Sequence, residues 1–375
     1  MEAGVFKWPW NMKLEKPYRS CFTLLIDDYA PWRVLRPQID YPLSFFRDLN
    51  SVFERNGLSC AKYSICPLAD GINWMEDEGY RGFVEELVAA QDMGISIGLE
   101  GLTHYLVYDF CNKTLTNLRE ADLFNNGSEE QIYEYLKGGV EILERKGLRS
   151  SGFTSPFFCG DQINAYRAFN RLGWVWSFNT MGKDQGNDPV LRHGTVCNLP
   201  SYWKSPDLFG GGGAPPPTEV REDLARACIN AAYLDGEMCA LYTHFEGIFF
   251  SDALDKLEDL LKWVKEREDI WMASPEEIAN FWVAKENLRY QLAVQHDTVK
   301  NILYIRGYFT STRAKNLALW VVPPPGKKIS EAKIFYDKKE FKDIPLVDKG
   351  DYIVMVIETK NRKNCDITAY LEKHE

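Results

Sequence analysis

"TLLIDDYAP" (residues 23–31) ends an apolar run in two adjacent aspartates. Thr23, Leu24, Leu25 and Ile26 suit a buried strand. Asp27 and Asp28 do not, because two neighbouring carboxylates taken out of water need positive charge beside them. A metal ion, a basic side chain or plain solvent at a strand end would each meet that need. The rest of the chain determines which of the three is available.

The same strand pattern recurs downstream. Apolar runs at 21–26, 59–66, 95–99, 150–154, 174–179, 195–200, 238–243 and 270–273 read as strands. Amphipathic stretches at 43–56, 79–92, 129–146, 161–172, 219–234, 251–267 and 275–286 read as helices between them. Within 251–267, Leu254, Leu257, Leu261 and Val264 form one apolar stripe. "SPEE" (274–277) is a capping box with Pro at the first helical position. Gly57, Gly94, Gly147 and Gly173 each close a helix ahead of a strand. Such alternation predicts an α/β fold with a parallel sheet, open or closed, and a (β/α) barrel is the preferred form. No G-x-G-x-x-G follows the first strand and no G-x-x-x-x-G-K occurs, so nucleotide binding has no support.

After about residue 286 the pattern changes. "LRYQLAVQ", "NILYIRGY", "NLALWVV", "EAKIFY", "DYIVMVIE" and "CDITAYL" are separated by turn residues, with no long helix. The expectation is a barrel over 1–285 and a small all-β, sandwich-like module over 286–375. That module would serve assembly, cover one end of the barrel, or bind sugar. "GGGGAPPP" (210–217) is a loop inside the first domain, either a lid or an irregular connection.

Composition limits the partners. The chain has 375 residues, 45% of them hydrophobic, enough to bury a full core. A net charge of −10 argues against nucleic acid or an anionic membrane as partner. The 11 Trp and 19 Tyr read first as core filling, with stacking on sugar rings as the second use. Nine scattered cysteines without a C-x-x-C pair suggest buried free thiols rather than a zinc ribbon or disulfide framework. No segment has signal-peptide or membrane-spanning character, which predicts a cytoplasmic setting; a secreted chain already relieved of its leader would read the same.

In a barrel, chemistry gathers just past the strands. The first strand supplies Asp27 and Asp28, the third supplies Glu100 and His104 in "GLEGLTH", and "YTHFEG" supplies His244 and Glu246. Asp28, Glu100 and His104 suit a divalent cation, with Zn preferred and Mn, Co, Ni or Fe also compatible with the donor set. Such an ion would acidify water, Asp27 would act as general base, and His244 would protonate a leaving group. Each residue also has a plainer reading: a solvated strand end, a turn cap, or a hydrogen-bonded structural histidine.

These motifs resemble the polysaccharide deacetylases with the NodB-homology domain, carbohydrate esterase family 4. "TLLIDD" is similar to their first motif, which implies Asp27 as base and Asp28 as metal ligand. "IGLEGLTH" matches the frame of their H-[ST]-x-x-H motif, with His104 as the second histidine and Glu100 in place of the first. "TSPF" looks like their R-x-P-[FY], keeping Pro156 and Phe157 and placing Thr154 in the arginine position. "LYTH" resembles their last motif, with His244 as catalytic histidine. The resemblance spans roughly 20–285 and implies a distorted NodB-like (β/α) barrel that removes acetyl groups from N-acetylglucosamine polymers with a divalent metal. Glutamate at 100 adds negative charge to the ligand set, and Thr154 leaves no arginine to steady the aspartate.

The expected function is a metal-dependent hydrolase removing an acyl group from a carbohydrate amide or ester, with Pro156, Phe157 and Trp203 contacting substrate. Its partner would be a carbohydrate or small acylated molecule, with a homo-oligomer as a further prospect. A second expectation is a barrel without catalysis that binds carbohydrate through exposed aromatics such as Trp32, Trp203 or Phe249. A third is a metal-independent glycoside hydrolase pairing Asp27 with Glu100 or Glu246.

Overall fold

The computed structural model describes residues 10–13, 16–180, 186–202, 207–209, 222–286, 289–310, 316–336, 340–348, 353–358 and 364–373. The chain divides into two compact units: Cys21–Trp282, and Met1–Ser20 with Val283–Glu375.

The Cys21–Trp282 unit is a mixed α/β structure around one nine-stranded sheet, to which Ser20 adds the first residue of its first strand. Trp176–Phe178, Gly152–Thr154, Ser96–Glu100, Ala61–Ile65, Ser20–Tyr29 and Met238–His244 lie side by side in parallel. Val196–Asn198 extends one edge in parallel, and Val190–His193 closes that edge antiparallel. Ile270–Met272 joins beside Ser20–Tyr29. Four strands separate Phe178 from Tyr242, so a flat sheet would hold them about 24 Å apart. Their ring centroids are 6.0 Å apart. The sheet is therefore curled into a half-barrel.

Strand periodicity splits the side chains between two environments. Leu24, Ile26, Ala61, Tyr63 and Ile65 face outward into the core shared with the helices. Alternate residues, Asp27, Lys62, Ser64, Thr154, Trp176 and Phe178, meet one another inside the curl. Gly152 is required there, because a Cβ would come within 2.1 Å of the Trp176 ring.

Leu43–Asn56, Arg81–Asp92, Glu129–Arg145, Ile163–Arg171, Glu222–Asp235, Leu254–Lys265 and Pro275–Glu286 are helical, close to the stretches read from periodicity. In Leu254–Lys265 the residues Leu257, Leu260, Leu261 and Val264 are buried, each worth about 1.5–3 kcal/mol. The Ser274–Glu277 box forms: the Ser274 N–H donates to Glu277 Oε2 at 3.0 Å and the Glu277 N–H to Ser274 Oγ at 3.4 Å. Gly57, Gly94, Gly147 and Gly173 all have φ between +58° and +93°. Periodicity did not reveal the Leu106–Asp109/Thr114–Arg119 hairpin, the Glu120–Asn126 helix or the Phe245–Phe250 helix.

In the other unit, Arg289–Asp297, Ile302–Thr310, Asn364–Lys373, Lys327–Tyr336 and Glu340–Asp343 form one antiparallel sheet. Asn316–Val321, Ile353–Glu358 and Leu346–Asp348 form a second. Cys21, Cys60, Cys66, Cys159, Cys197, Cys228 and Cys239 are buried free thiols and Cys111 is exposed; among the described residues, no helix is long and apolar enough to cross a membrane. "GGGGAPPP" and Trp203 lie outside the described residues.

Candidate functional site

Period-2 alternation would send Asp27 and Asp28 to opposite faces of the sheet. The backbone prevents this. Asp28 adopts φ +68°, and the register to Ala61–Ile65 shifts between Ile26 and Tyr29. This is a bulge that re-aims a side chain at the strand end. The Asp28 N–H donates to Glu100 Oε2 at 2.8 Å. Its Oδ1 is buried without a hydrogen-bond partner.

Glu100 ends its strand, and the chain turns sharply through Gly101 to His104, itself at φ +74°. Glu120 holds this turn. Its Oε1 accepts from the Leu102 N–H at 2.7 Å, the Thr103 N–H at 3.0 Å and the Tyr135 hydroxyl at 2.5 Å. Gly101 is needed here, since a Cβ would lie 2.1 Å from Glu120 Oε2. His104 Nε2 ends up 3.3 Å from Asp28 Oδ1 and 3.6 Å from Glu100 Oε1.

Asp28, Glu100 and His104 thus point donor atoms at one buried place, all within 4.8 Å of one another. Burial, reinforced by Asp27 and Asp28, pushes Glu100 up to about 7. Burial pulls the His104 imidazole down, but Asp28 and Glu100 outweigh it and hold the group up at about 9. Neighbouring carboxylates raise both groups, adding to burial at Glu100 and opposing it at His104. A divalent cation would match the two carboxylates in charge and accept all three donors, so the residues fit one.

Asp27 is handled differently. Lys62, fully buried, pairs with its Oδ1 and also donates to Ser64 Oγ and Thr154 Oγ1. The ammonium lies 5.0 Å from the Phe178 ring centroid and 5.8 Å from that of Trp176. Of the three neighbours open to the aspartate pair, a basic side chain is the one that Asp27 meets. Thr154 in the arginine position carries no charge, but it accepts a hydrogen bond from a lysine two strands away. The signal in the sequence was a single Lys inside "SCAKYSIC".

His244 ends its strand directly beside Asp27 in register. Its Nδ1 lies 2.6 Å from Asp207 Oδ2. Burial pulls the imidazole down; the Asp207 carboxylate overrides it and holds the group up at about 10. Asp207 was missed because it lies in a loop without periodicity. Glu246 forms a buried ion pair with Arg33.

Pro156 is buried, whereas the Phe157 side chain is half exposed, at φ +57°, with its ring 4.9 Å from that of His104. Trp32 and Phe249 do not form an exposed aromatic groove. Trp32 is buried, with its indole N–H donating to Asp70 at 2.9 Å. Phe249 packs edge-on against Tyr41 and Phe45. Both rings gain more from core contact than strand-end position suggested.

No protein-family model matches this chain, and no curated protein sequence matches it. Among solved structures, a protein described as a polysaccharide deacetylase from Mycobacterium smegmatis is similar, with a TM-score of 0.52 and 15% identity over 75% of this chain and 95% of that one. One described as a polysaccharide deacetylase from Pseudomonas aeruginosa PAO1 has a TM-score of 0.47 and 14% identity over 71% and 91%. Puue allantoinase has a TM-score of 0.47 and 12% identity over 71% and 90%. At these identities the likeness is one of fold.

Proposed function

We propose that this chain is a divalent-metal hydrolase removing an acyl group, acetyl first, from a carbohydrate amide or ester. The observation that carries this reading is the meeting of Asp28, Glu100 and His104 at one buried place, beside an Asp27 already paired with Lys62. The fold likeness to a protein described as a polysaccharide deacetylase supports the substrate class.

Asp28, Glu100 and His104 would hold the ion, with Zn preferred and Mn, Co or Ni as alternatives. When bound, a divalent cation supplies Lewis acidity, acidifying water and drawing charge off an acyl oxygen. Asp27 takes the proton of the attacking water. His244, kept protonated by Asp207, gives a proton to the departing amine or alcohol. Phe157, half exposed beside His104, offers a face for a sugar ring, with Pro156 supporting the turn. A metal-free pairing of Asp27 with Glu246 is disfavoured, since Glu246 is tied to Arg33 in a buried ion pair.

Elemental analysis of the purified protein tests this reading. About one equivalent of divalent metal is expected, absent from Asp28→Ala and retained by His244→Ala, which loses turnover of an acetylated chitooligosaccharide. An Asp28→Ala protein that turns over this substrate without metal would sink the mechanism.

A further inference from the structure

Two aspartates share one strand end, and a dication at Asp28 would attract both. Coulomb attraction falls only as the inverse of distance, so adjacency alone cannot reserve one carboxylate for proton transfer. Something must hold Asp27 back.

Lys62 has the geometry to do so. An ammonium has three N–H donors, and three acceptors surround this one: Asp27 Oδ1, Ser64 Oγ and Thr154 Oγ1. Ser64 Oγ and Thr154 Oγ1 are in turn 2.7 Å apart, so the two hydroxyls brace each other. The ammonium also sits over the Trp176 and Phe178 rings, whose faces favour a cation. Side-chain exposure is 0% for Lys62 and 4% for Asp27. A fully buried lysine with every donor used gives up these hydrogen bonds in any other rotamer. The three acceptors come from three separate strands, the first, second and fourth, so the clamp is built into the sheet.

We propose that Lys62, fixed by Ser64 and Thr154, is a positioning residue that keeps Asp27 off the metal, so that only Asp28 of the adjacent pair becomes a ligand. This rests on the metal-hydrolase reading and assigns the division of labour within it. Removing the clamp releases a carboxylate beside a dication and deletes a repelling positive charge. Both effects strengthen metal binding while spoiling the base. Loss of a merely structural residue would weaken binding instead.

Cobalt(II) titration of the whole protein, followed by visible absorption at fixed pH, tests this. Lys62→Met is expected to bind cobalt at least about tenfold more tightly than wild type, with an altered spectrum as Asp27 adds an oxygen donor. Lys62→Met/Asp27→Asn is expected to return to wild-type affinity and spectrum. If Lys62→Met is insoluble, Ser64→Ala/Thr154→Val keeps both charges while loosening the ammonium, and should tighten cobalt binding a few-fold. Folded Lys62→Met with unchanged or weaker affinity overturns the proposal and leaves the metal reading standing; so does an unchanged Ser64→Ala/Thr154→Val protein. Wild-type protein that takes up no cobalt overturns the metal reading, and the clamp's role with it.

Discussion

The backbone N–H of Asp28 donates to Glu100 Oε2 at 2.8 Å, tying the bulge of one strand to the end of the strand two places along the sheet. Glu100 therefore serves in two ways, offering one oxygen to the candidate ion and using the other to hold Asp28 in its left-handed conformation. Backbone in that region costs on the order of 1–3 kcal/mol and persists only where the surroundings impose it.

Glu100→Gln keeps an acceptor for the Asp28 N–H but removes one negative charge from the ligand set. Zinc affinity measured by competition with a chromogenic chelator should fall by about 10–100-fold, with little change in thermal stability. Glu100→Ala should lose both, since the Asp28 bulge is then unsupported. Equal zinc affinity in Glu100→Gln and wild type would remove Glu100 from the ligand set.

Why some of this was legible in the sequence and some was not follows from where each residue sits. Asp27, Asp28, His104 and His244 stand just past apolar runs whose length identifies strands, and strand ends of a barrel lie together. Lys62 showed only as a lone cation in an apolar run, because periodicity assigns it to a strand without saying which way it will reach inside the curl. Its partners come from Asp27 and Thr154, 35 and 92 positions away. Glu120 opens a short helix beyond a hairpin, and only the folded turn brings its carboxylate under Leu102 and Thr103. Trp32 reads as exposed because it follows a strand, yet Asp70 and Tyr80 enclose it.

Glu120 positions His104 through the turn it holds, and its charge adds to those that keep the imidazole pKa raised. Glu120→Ala leaves the Leu102 and Thr103 N–H groups and the Tyr135 hydroxyl without their acceptor, costing about 2–4 kcal/mol by urea denaturation. Zinc affinity should fall with it, because the turn no longer fixes His104. Tyr135→Phe is the milder probe and should cost about 1 kcal/mol with affinity nearly preserved. Wild-type zinc affinity in folded Glu120→Ala would show that the turn holds His104 unaided.

His244 and Asp207 make a pH-dependent contribution to stability. The folded-state pKa of His244 is raised, so the pair stabilises the protein fully below the ordinary histidine value near 6.5 and loses that contribution as pH rises through about 10. In chelator-treated protein, Asp207→Asn should be less stable than wild type by about 1.5–3 kcal/mol at pH 6. The gap should narrow steadily between pH 7 and pH 10. A gap that stays constant over that range would mean Asp207 acts by packing rather than by holding a proton on His244.

Phe157 pairs a strained backbone with an exposed ring. At φ +57° a phenylalanine is disfavoured by about 1–2 kcal/mol relative to its right-handed conformation, and its residue is 50% exposed. Burial therefore offsets little of the strain, and stability is not what the side chain serves. Phe157→Gly relieves the strain at a conformation glycine adopts freely, while giving up backbone order in the unfolded chain's favour. The two effects are of similar size and opposite sign, so the melting temperature should change by only a few degrees. The ring lies 4.9 Å from His104, at the edge of the candidate site, where it can stack on a sugar. Loss of that surface should raise KM for an acetylated chitooligosaccharide several-fold while zinc affinity stays at the wild-type level. If KM is unchanged and melting falls sharply, the ring belongs to the fold and not to substrate recognition.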